Sequence, residues 1–154
     1  MLPVGAQAPD FSLKDQNNQE VRLSSYRGQR AVLLVFYPLA FTGTCGGEMA
    51  AIQRSLDELQ NERVQVLTVS VDSPYSHKVW LDRESWTFPM LSDFWPHGAV
   101  ASSYGVFNES AGVADRGTFL ISPAGEITFA EHLPPGQSRD TETWLKAIAS
   151  LEVR

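Results

Sequence analysis

The seven residues Ala31–Tyr37 are apolar without interruption, as in a central β-strand covered on both faces. Val64–Val71 repeats that character and predicts a second buried strand. Between them, Met49, Ile52, Leu56 and Leu59 follow Cys45 at alternating spacings of four and three, which predicts the buried stripe of one helix. Pro74–Trp86 reads as a further helix, with proline at an early position where a missing N–H costs least. Gly117–Ser122 and Glu126–Glu131, joined by the turn Pro123-Ala-Gly125, predict an antiparallel pair. Near the start, Phe11–Leu13 and Glu20–Leu23 flank the polar turn Gln16–Gln19 and predict a small hairpin. Thr141–Leu151 is amphipathic, with Asp140 or Thr141 as its cap.

Strand, helix, strand, helix, hairpin, helix is a mixed α/β layout with helices on both faces of one sheet, the order of a thioredoxin-like fold. No repeat, low-complexity tract or linker divides the 154 residues, so residues 1–154 are expected to form one domain. The composition, 43% hydrophobic and 19% charged, is that of a globular chain. No apolar run approaches the ~20 residues that cross a bilayer, and the first ten residues lack the basic start and apolar stretch of a secretory signal. A net charge of −6 with no basic cluster argues against nucleic acid and anionic membranes as partners. The single cysteine has no partner for an internal disulfide, and a cytoplasmic location is expected.

That cysteine carries the chemistry. Cys45 follows the first strand and stands at the start of the first helix, where unpaired N–H groups carry partial positive charge and favour an anion such as a thiolate. Thr42 is placed either as the helix N-cap or as a hydrogen-bond donor to the sulfur. Pro38 is either a plain strand terminator or a lid that shields the thiol from water. Gly46 and Gly47 weaken the first helical turn, for one of two reasons: close approach of a neighbouring strand, or a turn that must loosen after Cys45 reacts. By position, Arg116 is a solvated residue at a strand end; beside Cys45 its fixed charge would favour the thiolate and polarise a bound oxygen. Glu48, one turn beyond Cys45, is either a surface carboxylate or the group that orients such an arginine. There is no C-x-x-C, nucleophile elbow or P-loop, and His77, His97 and His132 show no metal-ligand or protease spacing. No metal or bound cofactor is expected, and the histidines receive no role.

Pro38-x-x-x-Thr42-x-x-Cys45, followed much later by Arg116-Gly-Thr-Phe, resembles the active-site motif of the peroxiredoxins. Gly5-Ala-Gln-Ala-Pro-Asp-Phe11 is similar to that family's N-terminal G-x-x-A-P-D-F. Pro38–Gly43, Ser92–Gly98 and Tyr104–Asn108 resemble the AhpE-type branch known from actinobacteria. The resemblance spans the chain and implies a thioredoxin-like fold with thiol-dependent peroxidase activity. It makes Cys45 the peroxidatic cysteine, oxidised to a sulfenic acid by hydrogen peroxide, an organic hydroperoxide or peroxynitrite. Thr42 and Arg116 would bind the peroxide oxygens, Pro38 would shield the site, and Glu48 would position Arg116.

Relatives often carry a resolving cysteine five places on; here that residue is Ala50, and no second cysteine exists. The expected mechanism is therefore one-cysteine, with an external thiol as reductant: mycothiol with a mycoredoxin, or a thioredoxin-type protein. The family also implies a homodimer, for which Trp80, Trp86, Phe94, Trp95 and Phe107 are candidate surface. A peroxide sensor that relays oxidation from Cys45 is the alternative function, and a binding module with an inert buried cysteine is a third.

Overall fold

A computed structural model describes residues 1–134 and 136–152. In chain order the strands are β1 (Ser12–Lys14), β2 (Glu20–Arg22), β3 (Ala31–Phe36), β4 (Val64–Ser70), β5 (Met90–Ser92), β6 (Phe107–Asn108), β7 (Val113–Ala114), β8 (Arg116–Ile121) and β9 (Ile127–Leu133). The helices are α1 (Gly43–Arg54), α2 (Leu56–Leu59), α3 (Pro74–Glu84), α4 (Ala99–Ser103) and α5 (Thr141–Glu152). Seven strands form one mixed sheet in the order β2-β1-β5-β4-β3-β8-β9, and β6 and β7 make a separate two-stranded ribbon.

The two uninterrupted apolar runs are the centre of that sheet. β3 and β4 pair in parallel and every residue of both is buried. Successive side chains point to opposite faces, so Leu33, Val35 and Tyr37 enter one core while Val32, Leu34 and Phe36 enter the other. The first core receives Met49 and Ile52 of α1, Leu59 of α2, Trp80 of α3, and Trp144 and Ile148 of α5. The second is covered by the N-terminal segment, a 3-10 turn at Leu23–Tyr26, Ala101 of α4, and Tyr104. The long helices thus lie on one face and the shorter elements on the other.

The predicted stripe from Cys45 to Leu59 is buried except at the half-buried Leu56, and it does not run along one helix: α1 ends at Arg54 with Ser55 as its C-cap, and Leu59 belongs to α2. Serine is a poor helix-interior residue because its hydroxyl competes for backbone groups. α3 starts as its sequence indicates, with Pro74 in its first turn and the Ser73 hydroxyl accepting from the Ser76 N–H at 3.2 Å. At α5, Asp140 caps, accepting from the Glu142 N–H at 3.0 Å.

Strand polarity positions the site. α1 leaves the carboxyl end of β3. β8 runs antiparallel to β3, with Val35 opposite Thr118. Continuing that register sets Arg116 opposite Tyr37, at the same end of the sheet as the start of α1. β9 pairs back along β8 until Leu133 faces Arg116, which returns the chain to this end just before Arg139.

Candidate active site

Cys45 lies in the first turn of α1 and is fully buried. The first N–H groups of this helix have no intrahelical acceptor, so they and the helix dipole favour negative charge at the sulfur. Arg116 reaches it from β8, its Nη2 donating to Cys45 Sγ at 3.3 Å. The arginine that reads by position as a solvated strand end is buried, with only 4% of its side chain exposed. Its other terminal nitrogen, Nη1, donates to Glu48 Oε1. Glu48 is likewise inside, on the face of α1 shared with Cys45, Met49 and Ile52.

A second arginine completes the arrangement, one that sequence reasoning missed. Arg139 grips the Glu48 carboxylate with three donors: its backbone N–H at 2.9 Å and Nε at 2.8 Å to Oε2, and Nη2 at 2.9 Å to Oε1. Its Nη1 donates to the Gly117 carbonyl and to Thr118 Oγ1, both at 3.1 Å. Two guanidinium charges on one carboxylate leave a net positive charge at the sulfur, where Arg116 with Glu48 alone would sum to zero. Burial pushes the Glu48 carboxyl up, but the hydrogen bonds and charge of Arg139, then the charge of Arg116, outweigh it and hold it below the ordinary carboxylate range. Arg139 stands just ahead of the Asp140 cap, at the positive end of α5, where a cation is disfavoured unless something else binds it. That misplaced charge was the available signal.

The loop from Pro38 to Thr42 connects β3 to α1. Pro38 is half-buried, directly after Tyr37, whose N–H donates to the Val69 carbonyl at 3.0 Å. Thr42 occupies the N-cap position, but its hydroxyl neither caps α1 nor donates to the sulfur. Its proton goes to the Leu39 carbonyl at 2.8 Å, which leaves the oxygen's lone pairs to accept from a ligand. Neither glycine of the first turn is crowded by a strand: a side chain at Gly47 would meet nothing within 4 Å, and one at Gly46 only Trp80, at 3.8 Å.

The histidines lie elsewhere. His77 contacts Ser70 at 2.7 Å, His97 the Gly112 carbonyl at 2.7 Å, and His132 Asp115 at 3.1 Å. Among the described residues no group of three or more metal-ligating side chains is assembled. Nor, among them, is any helix long and apolar enough to cross a membrane. Of the aromatic residues considered for a dimer surface, Trp80 is buried and Trp86 packs edge-on against it with ring centroids 5.1 Å apart, whereas Phe94 and Trp95 are 54% and 80% exposed.

With this geometry in hand, the comparisons with known proteins agree with one another. The profile of the AhpC/TSA family matches residues 4–130. Alkyl hydroperoxide reductase E of Mycobacterium tuberculosis is 54% identical over 151 residues, covering 98% of this chain and 99% of the relative. The selenocysteine-containing peroxiredoxin PrxU of Peptoclostridium acidaminophilum is 39% identical over 163 residues, covering 99% of this chain and 79% of its own. Among solved structures, Enterococcus faecalis AhpC superposes with a TM-score of 0.90 at 29% identity, covering 99% of this chain and 94% of that one.

Proposed function

The chain belongs to the AhpC/TSA family of peroxiredoxins, and from that premise we propose how its residues divide the work of reducing a peroxide. The protein is a thiol-dependent peroxidase of the one-cysteine kind, with Cys45 the only thiol it has. The Cys45 thiolate attacks one peroxide oxygen, the O–O bond breaks, and the departing alkoxide or hydroxide takes a proton to leave as alcohol or water. Sulfur is oxidised by two electrons to a sulfenic acid. One external thiol then condenses with it, releasing water and forming a mixed disulfide, and a second thiol restores Cys45.

In our reading Arg116 and the first-turn N–H groups of α1 stabilise the negative charge that grows on the departing oxygen, which raises rate because that charge is largest in the transition state. Thr42 Oγ1 accepts from the peroxide hydroxyl and aligns it. Pro38 keeps water from the sulfenic acid. Glu48 orients Arg116, and Arg139 offsets the charge of Glu48. The observation that carries this reading is the 3.3 Å contact of a buried guanidinium with the cysteine sulfur. We further propose mycothiol with a mycoredoxin, or a thioredoxin-type protein, as reductant. A homodimer formed through the exposed Phe94 and Trp95 and a cytoplasmic location complete the proposal.

The test is stopped-flow tryptophan fluorescence of reduced protein mixed with stoichiometric peroxide. Trp80 beside the first turn of α1 serves as a natural reporter. A change much faster than a free thiol gives, absent in Cys45→Ser, is expected; dimedone should trap the sulfenic acid, and repeated turnover should follow addition of thiol. Free-thiol rates would overturn the peroxidase assignment, and a single turnover with no thiol-driven cycle would favour a sensor.

A further inference from the structure

Behind the site lies a buried polar group that the mechanism above does not use. His77 and Ser70 are enclosed, and Asp72, just past the end of β4, is partly so. Ser70 Oγ donates to Asp72 Oδ2 at 2.7 Å and contacts His77 Nε2 at 2.7 Å. A serine hydroxyl has a single proton, and the charge-assisted bond to the carboxylate takes it. The Ser70 oxygen must then accept from His77, which puts the imidazole proton on Nε2 and leaves Nδ1 bare. Consistently, Nδ1 has no hydrogen-bond partner among the described residues. Burial depresses the His77 pKa to about 4, against the charge of Asp72, so the ring is neutral at pH 7.

The hydrogen bonds to Asp72 extend to the Pro38–Thr42 loop. The same Asp72 Oδ2 accepts the Ala40 N–H at 2.8 Å. This reach follows from β3 and β4 running in parallel with Phe36 beside Val69, so that the loop after one lies beside the residues after the other. The loop needs holding: Phe41 has φ +63°, a left-handed conformation that costs a non-glycine residue about 1–3 kcal/mol and persists only where its surroundings enforce it. Its ring lies against Trp80 with centroids 5.5 Å apart and beneath the Arg83 guanidinium at 5.5 Å, yet Phe41 is 46% exposed. Asp72 supplies an ionic anchor from the interior.

We propose that Asp72 is a positioning residue of this peroxidase: aimed by Ser70 and His77, its carboxylate holds the Ala40 N–H and thereby sets where Pro38 and Thr42 stand over Cys45. The inference rests on the peroxidase reading and adds to it a residue that does not touch the peroxide.

Two rates separate positioning from general damage: the second-order reaction of Cys45 with hydrogen peroxide, and its alkylation by iodoacetamide. Alkylation needs the thiolate but not an aligned peroxide. In Asp72→Ala the peroxide rate should fall about 10-fold or more, the scale of a small misalignment at a reacting centre, while alkylation does not fall. Asp72→Asn, whose amide oxygen can accept the same two hydrogen bonds, should recover most of the loss. Ser70→Ala, which leaves Asp72 in place but removes its guide, should give a smaller loss in the same direction and serves if Asp72→Ala does not fold. A wild-type peroxide rate in Asp72→Ala, a parallel fall in both rates, or an Asp72→Asn as slow as Asp72→Ala would each overturn the inference. A wild-type protein no faster than free thiol would instead overturn the peroxidase reading itself.

Discussion

At the scale of single residues, the site is a problem of charge arithmetic inside a low-dielectric core. In the proposed mechanism Arg116 serves the sulfur as a cation, and Arg139 offsets the charge of Glu48 beside it. Arg116 donates to the sulfur, and in that mechanism it also meets the reacting oxygens; Arg116→Ala should slow peroxide reduction by about 10²–10³-fold, measured as the second-order rate constant. Arg139→Ala is different in kind. It strips three donors from a buried carboxylate, so a loss of about 3–5 kcal/mol in urea unfolding is expected, together with a slower peroxide reaction as Glu48 neutralises Arg116. Wild-type kinetics in Arg139→Ala would show that its charge does not reach the sulfur. The types and spacing of Pro38, Thr42, Cys45 and Arg116 were legible in the sequence. The burial of Glu48 was not, because a carboxylate one turn past Cys45 reads the same inside or outside until its partners are known.

At the scale of elements, the first turn of α1 combines a fully buried sulfur with two adjacent glycines. A reductant as large as a thiol cannot meet a sulfur that has no exposed surface unless the turn or the loop before it moves. With strand crowding removed as the reason for Gly47, its flexibility is the remaining physical account. Gly47→Ala should stabilise the fold by about 0.5–1 kcal/mol and slow thiol reduction of the sulfenic acid more than peroxide attack. Equal effects on both half-reactions would argue against an opening turn. The elements missed in the sequence were the short ones. β5 has three residues, too few for a period, and is a strand because β4 pairs with it. α4 has five, and its first N–H groups are tied down by Asp93, which accepts from Val100 and Ala101 at 3.1 and 2.9 Å.

At the scale of the whole molecule, buried titratable groups tie stability to pH. In the unfolded chain His77 titrates near its ordinary 6.5, and in the fold at about 4. Between those values the unfolded state binds the extra proton, so stability is full above the upper value and falls as pH drops towards the lower, by about 3 kcal/mol. Glu48, held below its ordinary value, adds to the loss at still lower pH, while Asp93, raised by burial, works in the opposite sense. Urea midpoints at pH 7 and pH 5 should differ clearly for the wild type and less for His77→Gln. An equal slope in the two proteins would show that His77 is not the group responsible.

The sequence by itself determined what depends on neighbours along the chain: the central strands from unbroken apolar runs, the helices from their spacing, the thiol at a helix start, and a one-cysteine chemistry from a count of one. Tertiary structure decided what depends on distant partners. The antiparallel return of β8 brings Arg116 across 71 residues to the sulfur, and the return of β9 brings Arg139 across 91 to Glu48. The parallel register of β3 and β4 sets Asp72 beside the Pro38–Thr42 loop. Local pattern carries information about which face of an element is apolar. It carries none about which buried charge meets which, because that pairing is made by strand order and register, and only then does the desolvated interior make each charge depend on its partner.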